Sequence, residues 1–411
     1  MGDNQIGYMR NAVHRTENGD WRFATTSHFN VLDNNPVTTS KALVFSQFSP
    51  YPLLKAHYRT IKKSIDNEIK AELSDQHYSV SIRRGLEESK KQYQWNFSLT
   101  DYLSIELWLN LESPKISDRK AGKTLDLEKL RVINRAYKIV ELNDRGYVIE
   151  NASPISSTKI QLDKNYQPSE LTMAGIFEIS ASDRKRATSL SKIASKDNLL
   201  IPLDQRIINP TGLSSLRLRI QPSDERDAEI VKNISATLSG FKGSSNSSDE
   251  ENSYLGETIR YPINHPRISD LKTSPHEISS IEDISRLVSY TNSLLRYREN
   301  RAVGSVLKSL ELGYGECTDF TDLFTTLARS HSIPARPVYG IAYKNGRQPG
   351  FMFHSWNQIY LEGQWISVDA TWNQSPADAT HISLSDDQYS ALLLLSTTKS
   401  VQLMVESTSY D

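Results

Sequence analysis

The chain contains a single cysteine, Cys317. It follows Gly313-Tyr314-Gly315-Glu316, whose glycines let the backbone turn tightly and approach a substrate closely. Downstream, Phe320, Leu323, Phe324, Leu327 and Ala328 recur at the spacing of one buried helical stripe, which Pro334 must end. A thiol at a helix N-terminus meets the positive end of the helix dipole, which favours thiolate, the form that attacks carbonyl carbon. Taken alone, such a cysteine is simply a small buried hydrophobe.

Partners for it stand downstream. Leu361-Glu362-Gly363-Gln364 predicts a tight hairpin turn. With Glu362-Gly363 as its two-residue loop, Asp369 falls opposite Trp356, and His354 falls opposite Thr371. His354 and Asp369 are then diagonal neighbours on one face, within reach of a carboxylate–imidazole hydrogen bond. Each alone has a bland reading, a structural histidine and a turn carboxylate. A thiol, an imidazole and an orienting carboxylate together are what nucleophilic thiol catalysis needs. The sulfur attacks an acyl carbonyl, the imidazolium protonates the leaving group, and the Cys317 N–H is one candidate oxyanion donor. Tyr297 and Asn292 are candidates for the second. Trp356 and Trp372 flank the triad, as core packing or as an aromatic wall, and Tyr314 is a further candidate for the pocket wall.

Elements must hold these residues in place. Ile281, Ile284, Leu287, Val288, Thr291 and Leu295 predict a helix, with Ser279 and Glu282 as its capping box. Val306, Leu307 and Leu310 predict another, ended by Gly313. Strands are predicted over 337–343, 353–360 and 364–370. The region before residue 229 reads as antiparallel sheet with short helices. Asn18-Gly19 and Asn143-Asp144-Arg145-Gly146 mark hairpins, 77–83 and 216–220 alternate with period two, and 100–109 and 182–194 read as helical. Residues 240–253 are mostly Gly, Ser, Asn and acidic residues, a linker composition. The expectation is an α+β protein: a β-rich antiparallel region over 1–228, of one or two subdomains, a linker over 229–273, and a catalytic domain over 274–411.

Composition narrows the function. The 411 residues carry 48 Lys+Arg against 49 Asp+Glu, a net charge of −1, which argues against a nucleic-acid binder. One cysteine excludes an intramolecular disulfide and multi-cysteine metal clusters. No apolar run reaches membrane-spanning length, and the N-terminus lacks a signal peptide's charged and apolar regions. A cytoplasmic location is expected, or a periplasmic one if a leader was removed. Ala121-Gly122-Lys123-Thr124 imitates a phosphate-binding loop, but Ser117 stands where its first glycine belongs. Asp319 and Asp322 are expected to complement the dipole of the Cys317 helix, and His331 to be a solvated cation at its end.

Three segments carry a family resemblance. Gly315-Glu-Cys-Thr-Asp-Phe-Thr-Asp-Leu-Phe-Thr-Thr-Leu-Ala-Arg329 with Ser332-Ile-Pro-Ala-Arg336 resembles the nucleophile segment of the transglutaminase-like superfamily. His354-Ser-Trp-Asn-Gln-Ile-Tyr360 resembles its histidine strand, and Trp365-Ile-Ser-Val-Asp-Ala-Thr-Trp372 its aspartate strand. The resemblance covers about residues 275–390 and departs at Ser332, where the family usually has glycine. It implies a papain-like core, with Cys317 as nucleophile, His354 as general acid/base and Asp369 as orienting residue. More loosely, Gln5-Ile-Gly-Tyr8 and 126–137 are similar to regions preceding this domain in bacterial proteins, mostly exported ones. The implied activity is a Cys317 thioester passed to an amine, forming or exchanging an amide bond. The alternatives are a cysteine peptidase or amidase, with water as acceptor, and a non-enzymatic binding module. The acyl donor would be a peptide, a glutamine side chain or an acyl thioester, an acyl-carrying protein being a further candidate partner. No cofactor or metal is expected.

Overall fold

The structure, a computed structural model, describes residues 5–30, 36–62, 65–152, 157–173, 177–190, 200–222, 254–272, 278–299, 301–388, 391–392, 395 and 401–410. The chain forms two compact units, Met1–Ala194 and Ser195–Asp411.

The first unit is built on two antiparallel meanders. Seven strands, Gly7–Arg15, Trp21–Phe29, Val37–Phe45, Leu53–Lys62, Ile65–Ser74, His77–Arg84 and Glu87–Tyr93, each pair with the next. Alternation makes one face apolar: Tyr78, Val80 and Ile82 are buried while His77 and Ser79 are exposed. A six-stranded sheet runs from Arg119–Asp126 to Phe177–Ser180, and Trp108 and Leu109 pack on its Ile139, Ile149 and Leu162. Both expected hairpins form, with Gly19 and Gly146 at positive φ. The helix expected over 100–109 is two pieces, Leu99–Tyr102 and Ser104–Glu112, because Ser98 and Asp101 box-cap the first and Leu103 breaks it. Of the helix expected over 182–194, only Arg184–Ala187 is helical among the described residues, and 191–194 lie outside them.

The second unit begins earlier than expected. Leu213–Pro222 pairs antiparallel with Val401–Tyr410, so this strand belongs with the C-terminal half, and the expected boundary at 228 is corrected to 194/195. Period-two alternation identifies a strand but carries no information about its partner. The Gly/Ser/acidic segment 240–253 lies outside the described residues.

At the centre of this unit is the helix Cys317–Ser330, buried on all sides from Cys317 to Arg329. Phe320, Leu323, Phe324, Leu327 and Ala328 pack with Ile284, Leu287 and Val288 of the helix Ile281–Leu294 and with Ile359 and Val368 of the sheet. That sheet has the order Ile201–Pro202, Pro349–Leu361, Ala335–Asn345, Ile382–Ser385, with Gln364–Val368 beside the second half of Pro349–Leu361. The capping box of Ile281–Leu294 is Ser280 with Asp283, one residue later than the pair expected. Gly313, at φ 67°, ends the helix Val306–Leu312 as expected.

The central helix closes in a Schellman motif: Ile333 N–H donates to Ala328 C=O and Ser332 N–H to Arg329 C=O. Ser332 therefore sits at φ 63°, the left-handed position that glycine ordinarily takes.

Candidate active site

The Glu362-Gly363 turn has both residues at positive φ, 50° and 84°, as a two-residue hairpin loop requires. It sets Asn357 opposite Val368, the register expected from the turn. The backbone beyond Val368 then brings Asp369 to His354, whose Nε2–H donates to Asp369 Oδ2 at 2.7 Å. The Cys317 side chain is also a hydrogen-bond partner of His354, and Nδ1 is the nitrogen left for it. Cys317, His354 and Asp369 are 4%, 4% and 0% exposed.

Buried polar contacts fix the helix against the histidine strand. Asn357 Nδ2 donates to Thr325 Oγ1 at 2.7 Å and to the Thr321 carbonyl at 3.1 Å. Thr321 Oγ1 donates to Ser355 Oγ at 3.1 Å. These bonds lie about one and two turns along the helix from Cys317, so they hold the sulfur's end of the helix against the histidine strand.

Asp369 is equally constrained. Its Oδ1 accepts the backbone N–H of Thr371 at 2.7 Å and of Trp372 at 3.3 Å. Asp369 and Gln374 exchange backbone hydrogen bonds, closing a loop. Asn292 Nδ2 donates to the carbonyls of Ala370 and Thr371, at 2.9 and 3.1 Å. Asn292 thus spends its donors on the aspartate loop and is not placed as an oxyanion donor. Tyr297 is half exposed, in a short parallel pairing of Arg296–Tyr297 with Tyr314–Gly315.

The electrostatics follow from burial and pairing. Burial alone would lower the His354 pKa. The charge and hydrogen bond of Asp369, with a contribution from Cys317, outweigh it and hold it well above the ordinary imidazole value. Burial would raise Asp369, but His354 and then His381 hold it below the usual carboxylate range. The pair is a buried imidazolium–carboxylate beside a thiol.

The two tryptophans divide. Trp372 stacks on the His354 ring at 4.1 Å and 13°, and is 38% exposed, so it covers the imidazole on the solvent side. Trp356 is fully buried, 6.1 Å from the same ring, and is core rather than an open wall. Tyr314 is half-buried, with the Arg298 guanidinium 4.4 Å over its ring.

Three carboxyl and histidine readings change. Asp319 is a buried hub. It accepts the N–H groups of Val303, Gly304 and Glu316 at 2.9, 2.6 and 2.9 Å, and the Ser309 hydroxyl at 3.2 Å. A Cβ on Gly315 would meet the Asp319 side chain at 2.5 Å, which explains that glycine. Asp322 pairs with Arg260 at 2.8 Å. His331 is half-buried, and burial with the nearby Lys272 pushes its pKa below the ordinary imidazole value, which disfavours the solvated helix-end cation expected.

Sequence reasoning passed over His381 and Asp378. His381 Nε2 lies 3.2 Å from Asp369 Oδ2, and its Nδ1 3.2 Å from Asp378 Oδ1. The Asp378/His381 spacing is the only local signal, and nothing in it points back to Asp369. His354, Asp369 and His381 bring three potential metal-ligand atoms within 4.8 Å of one another. In the structure both imidazoles reach the same oxygen, Asp369 Oδ2.

Residues 270–370 match the family model of the transglutaminase-like superfamily. The kyphoscoliosis peptidase of Mus musculus is 35% identical over 69 residues, which is 16% of this chain and 10% of that protein. Its Homo sapiens counterpart is 34% identical over 67 residues, 15% of this chain and 10% of that protein. The matches thus span about a tenth of the length of these relatives. A solved structure of a candidate cysteine protease from Cytophaga hutchinsonii aligns over 40% of this chain and 54% of its own, at 18% identity and a TM-score of 0.30.

Proposed function

We propose that this chain, which carries a transglutaminase-like domain at residues 270–370, is a thiol enzyme that forms an acyl thioester on Cys317 and passes the acyl group to an amine. The observation that carries the reading is the buried His354 imidazole, hydrogen-bonded to Asp369 through Nε2 and with the Cys317 side chain as a further partner.

The steps follow from that arrangement. The Cys317 thiolate, at the positive end of its helix, attacks the acyl carbonyl carbon. His354 gives its Nδ1 proton to the leaving nitrogen as the C–N bond breaks, and a thioester remains. His354, now neutral, takes a proton from the incoming amine as that amine attacks. The C–S bond breaks and the thiolate–imidazolium pair returns. Asp369 keeps its charge throughout and holds the ring's orientation. Burial of all three side chains supports aminolysis, because an amine competes with water at ~55 M only where water is excluded.

A second reading has water as the acceptor, making the protein a cysteine peptidase or amidase. The mouse and human relatives, peptidases by name, favour it. The two are separated by trapping the acyl-enzyme by mass spectrometry with a glutamine-peptide or activated-ester donor. Its decay is then followed with and without added primary amines. Faster decay with amine, yielding the amide, supports transfer. Decay unaffected by every amine, yielding acid alone, supports the peptidase. No covalent adduct on Cys317 with any donor contradicts both.

A further inference from the structure

The histidine–carboxylate contacts do not end at Asp369. Asp369 Oδ2 has two imidazole neighbours, His354 at 2.7 Å and His381 at 3.2 Å. The His381 side chain is 2% exposed. Its far nitrogen, Nδ1, faces the Asp378 carbonyl and Asp378 Oδ1, each at 3.2 Å.

The hydrogen-bond pattern fixes the charges. Asp378 Oδ1 accepts from Thr380 N–H at 2.9 Å and from the Thr380 hydroxyl at 2.6 Å. Its Oδ2 accepts from Gln374 Nε2 at 2.9 Å. Asp369 Oδ1 accepts from the Thr371 and Trp372 amides. Both carboxyl groups are thus surrounded by donors, as ionised groups are. Each nitrogen of His381 then faces only acceptors, so each must carry a proton. A neutral ring would leave one nitrogen lone pair against a carboxylate. Burial acts against the charge, and the contacts with Asp369 and Asp378 outweigh it.

From this geometry we infer that His381 is a positioning residue, a second imidazolium that shares Asp369 with His354 and tunes the Cys317–His354 pair. The inference rests on the triad reading above. The His381 ring lies 5.7 Å from that of His354. The other faces of His381 meet the neutral rings of Trp356 and Trp372, at 5.1 and 5.3 Å. Asp369, Asp378 and His354 are therefore the ionisable groups that act on it directly. Its positive charge has two consequences. It opposes the proton on His354, so the imidazolium gives that proton up more readily to a leaving group. It also adds to the positive potential at the sulfur, so thiolate persists to lower pH. Asp378, in turn, holds His381 charged.

The test is the rate of Cys317 alkylation by iodoacetamide, read by intact mass on the full chain across about pH 4 to 10. In wild type the midpoint for alkylation lies well below that of an ordinary thiol, about 8.5. His381→Gln keeps a donor toward Asp369 but removes the charge, and its midpoint rises by about one pH unit. Asp378→Asn moves it in the same direction by less. Variant curves that superimpose on an acid-shifted wild-type curve overturn the positioning role and leave the triad standing. A wild-type midpoint near 8.5 contradicts the triad reading itself. Should either variant fail to fold, the nitrogen-15 spectrum of histidine-labelled wild type decides. Two N–H nitrogens on His381 at pH 8 support the inference, and a neutral ring with one N–H overturns it.

Discussion

Two histidine–carboxylate pairs in this protein have almost the same length. His57 and Glu68 meet at 2.8 Å on the seven-stranded sheet of the first unit, and His354 and Asp369 meet at 2.7 Å in the second. The side chains of the first pair are 38% and 14% exposed, and those of the second 5% and 0%. Glu68 also receives Lys70 and Arg83, and Arg83 reaches Asp66, which binds Arg59. Burial would raise Glu68, but its hydrogen bonds from His57, Lys70 and Arg83 bring its pKa down to about 2. This is a lattice near the surface, in which Glu68, Asp66 and Arg83 each have more than one partner. In the second unit the imidazole has one carboxylate, one thiol, two indole rings and the His381 ring around it. The distance is common to both sites. What differs is burial and the thiol beside the second imidazole.

The largest effect that sharpens this contrast is expected at the two carboxylates. Asp369→Asn lowers the single-turnover rate of acyl-enzyme formation by about 10³- to 10⁴-fold, because the imidazole loses the anion that orients it and favours its charge. Glu68→Gln leaves that rate unchanged and costs roughly 1–3 kcal/mol in stability. Equal losses of rate in the two variants would dissolve the distinction between the sites.

Next in size is Asp319→Asn. The buried carboxylate accepts four hydrogen bonds, and an amide replaces an acceptor by a donor facing donors. A loss of about 3 kcal/mol is expected in chemical denaturation of the second unit. A shift of the unfolding midpoint within error would show that the Val303–Gly304 segment finds other partners.

The pH dependence separates the pairs in a third way. His354 has its folded pKa raised, to about 10. Its contribution to stability is therefore full below the unfolded value, about 6.5, and is lost as pH rises through the folded value. Asp369 is depressed, so its contribution is full above about 3.9 and is lost as pH falls. Thermal unfolding of wild type should thus weaken between about pH 6.5 and 10. His354→Gln should weaken less over that interval. Parallel decline in both proteins would assign the pH dependence elsewhere.

How much of this was legible beforehand depends on the range of each interaction. The Glu362-Gly363 turn fixed a local register as far as Asn357–Val368. The ladder ends there, so the expected pairings of Asp369 with Trp356 and of His354 with Thr371 do not form, and Asp369 reaches His354 from the loop that it closes with Gln374. The stripe from Phe320 to Ala328 likewise reported the central helix, because helical periodicity is local. Other features left no such trace. Leu213–Pro222 alternates visibly, yet its partner strand lies at the other end of the chain. Asp319 and Asp322 read as dipole complements, because the loop amides and the Arg260 they bind come from distant segments. His381 reaches Asp369 only because the chain between them folds back through the Asp369–Gln374 bridge and the Ala377–Ser367 hydrogen bond.

The smallest expected effect concerns Ser332. At φ 63° in the Schellman motif it occupies the conformation that costs an L-residue most and glycine least. Ser332→Gly is expected to stabilise the second unit by about 0.5 kcal/mol, read as a small rise in denaturation midpoint. It should leave Cys317 reactivity unaltered. A loss of stability would mean that the Ser332 side chain makes a compensating contact.

The central claim is that Cys317 is a thiolate because His354 stands beside it. The most direct measurement is the iodoacetamide labelling rate of Cys317 at about pH 6 in wild type and in His354→Ala. An ordinary thiol of pKa about 8.5 is well under 1% thiolate there, so the variant should react about 10²-fold more slowly than wild type. Equal rates in the two folded proteins would contradict the claim.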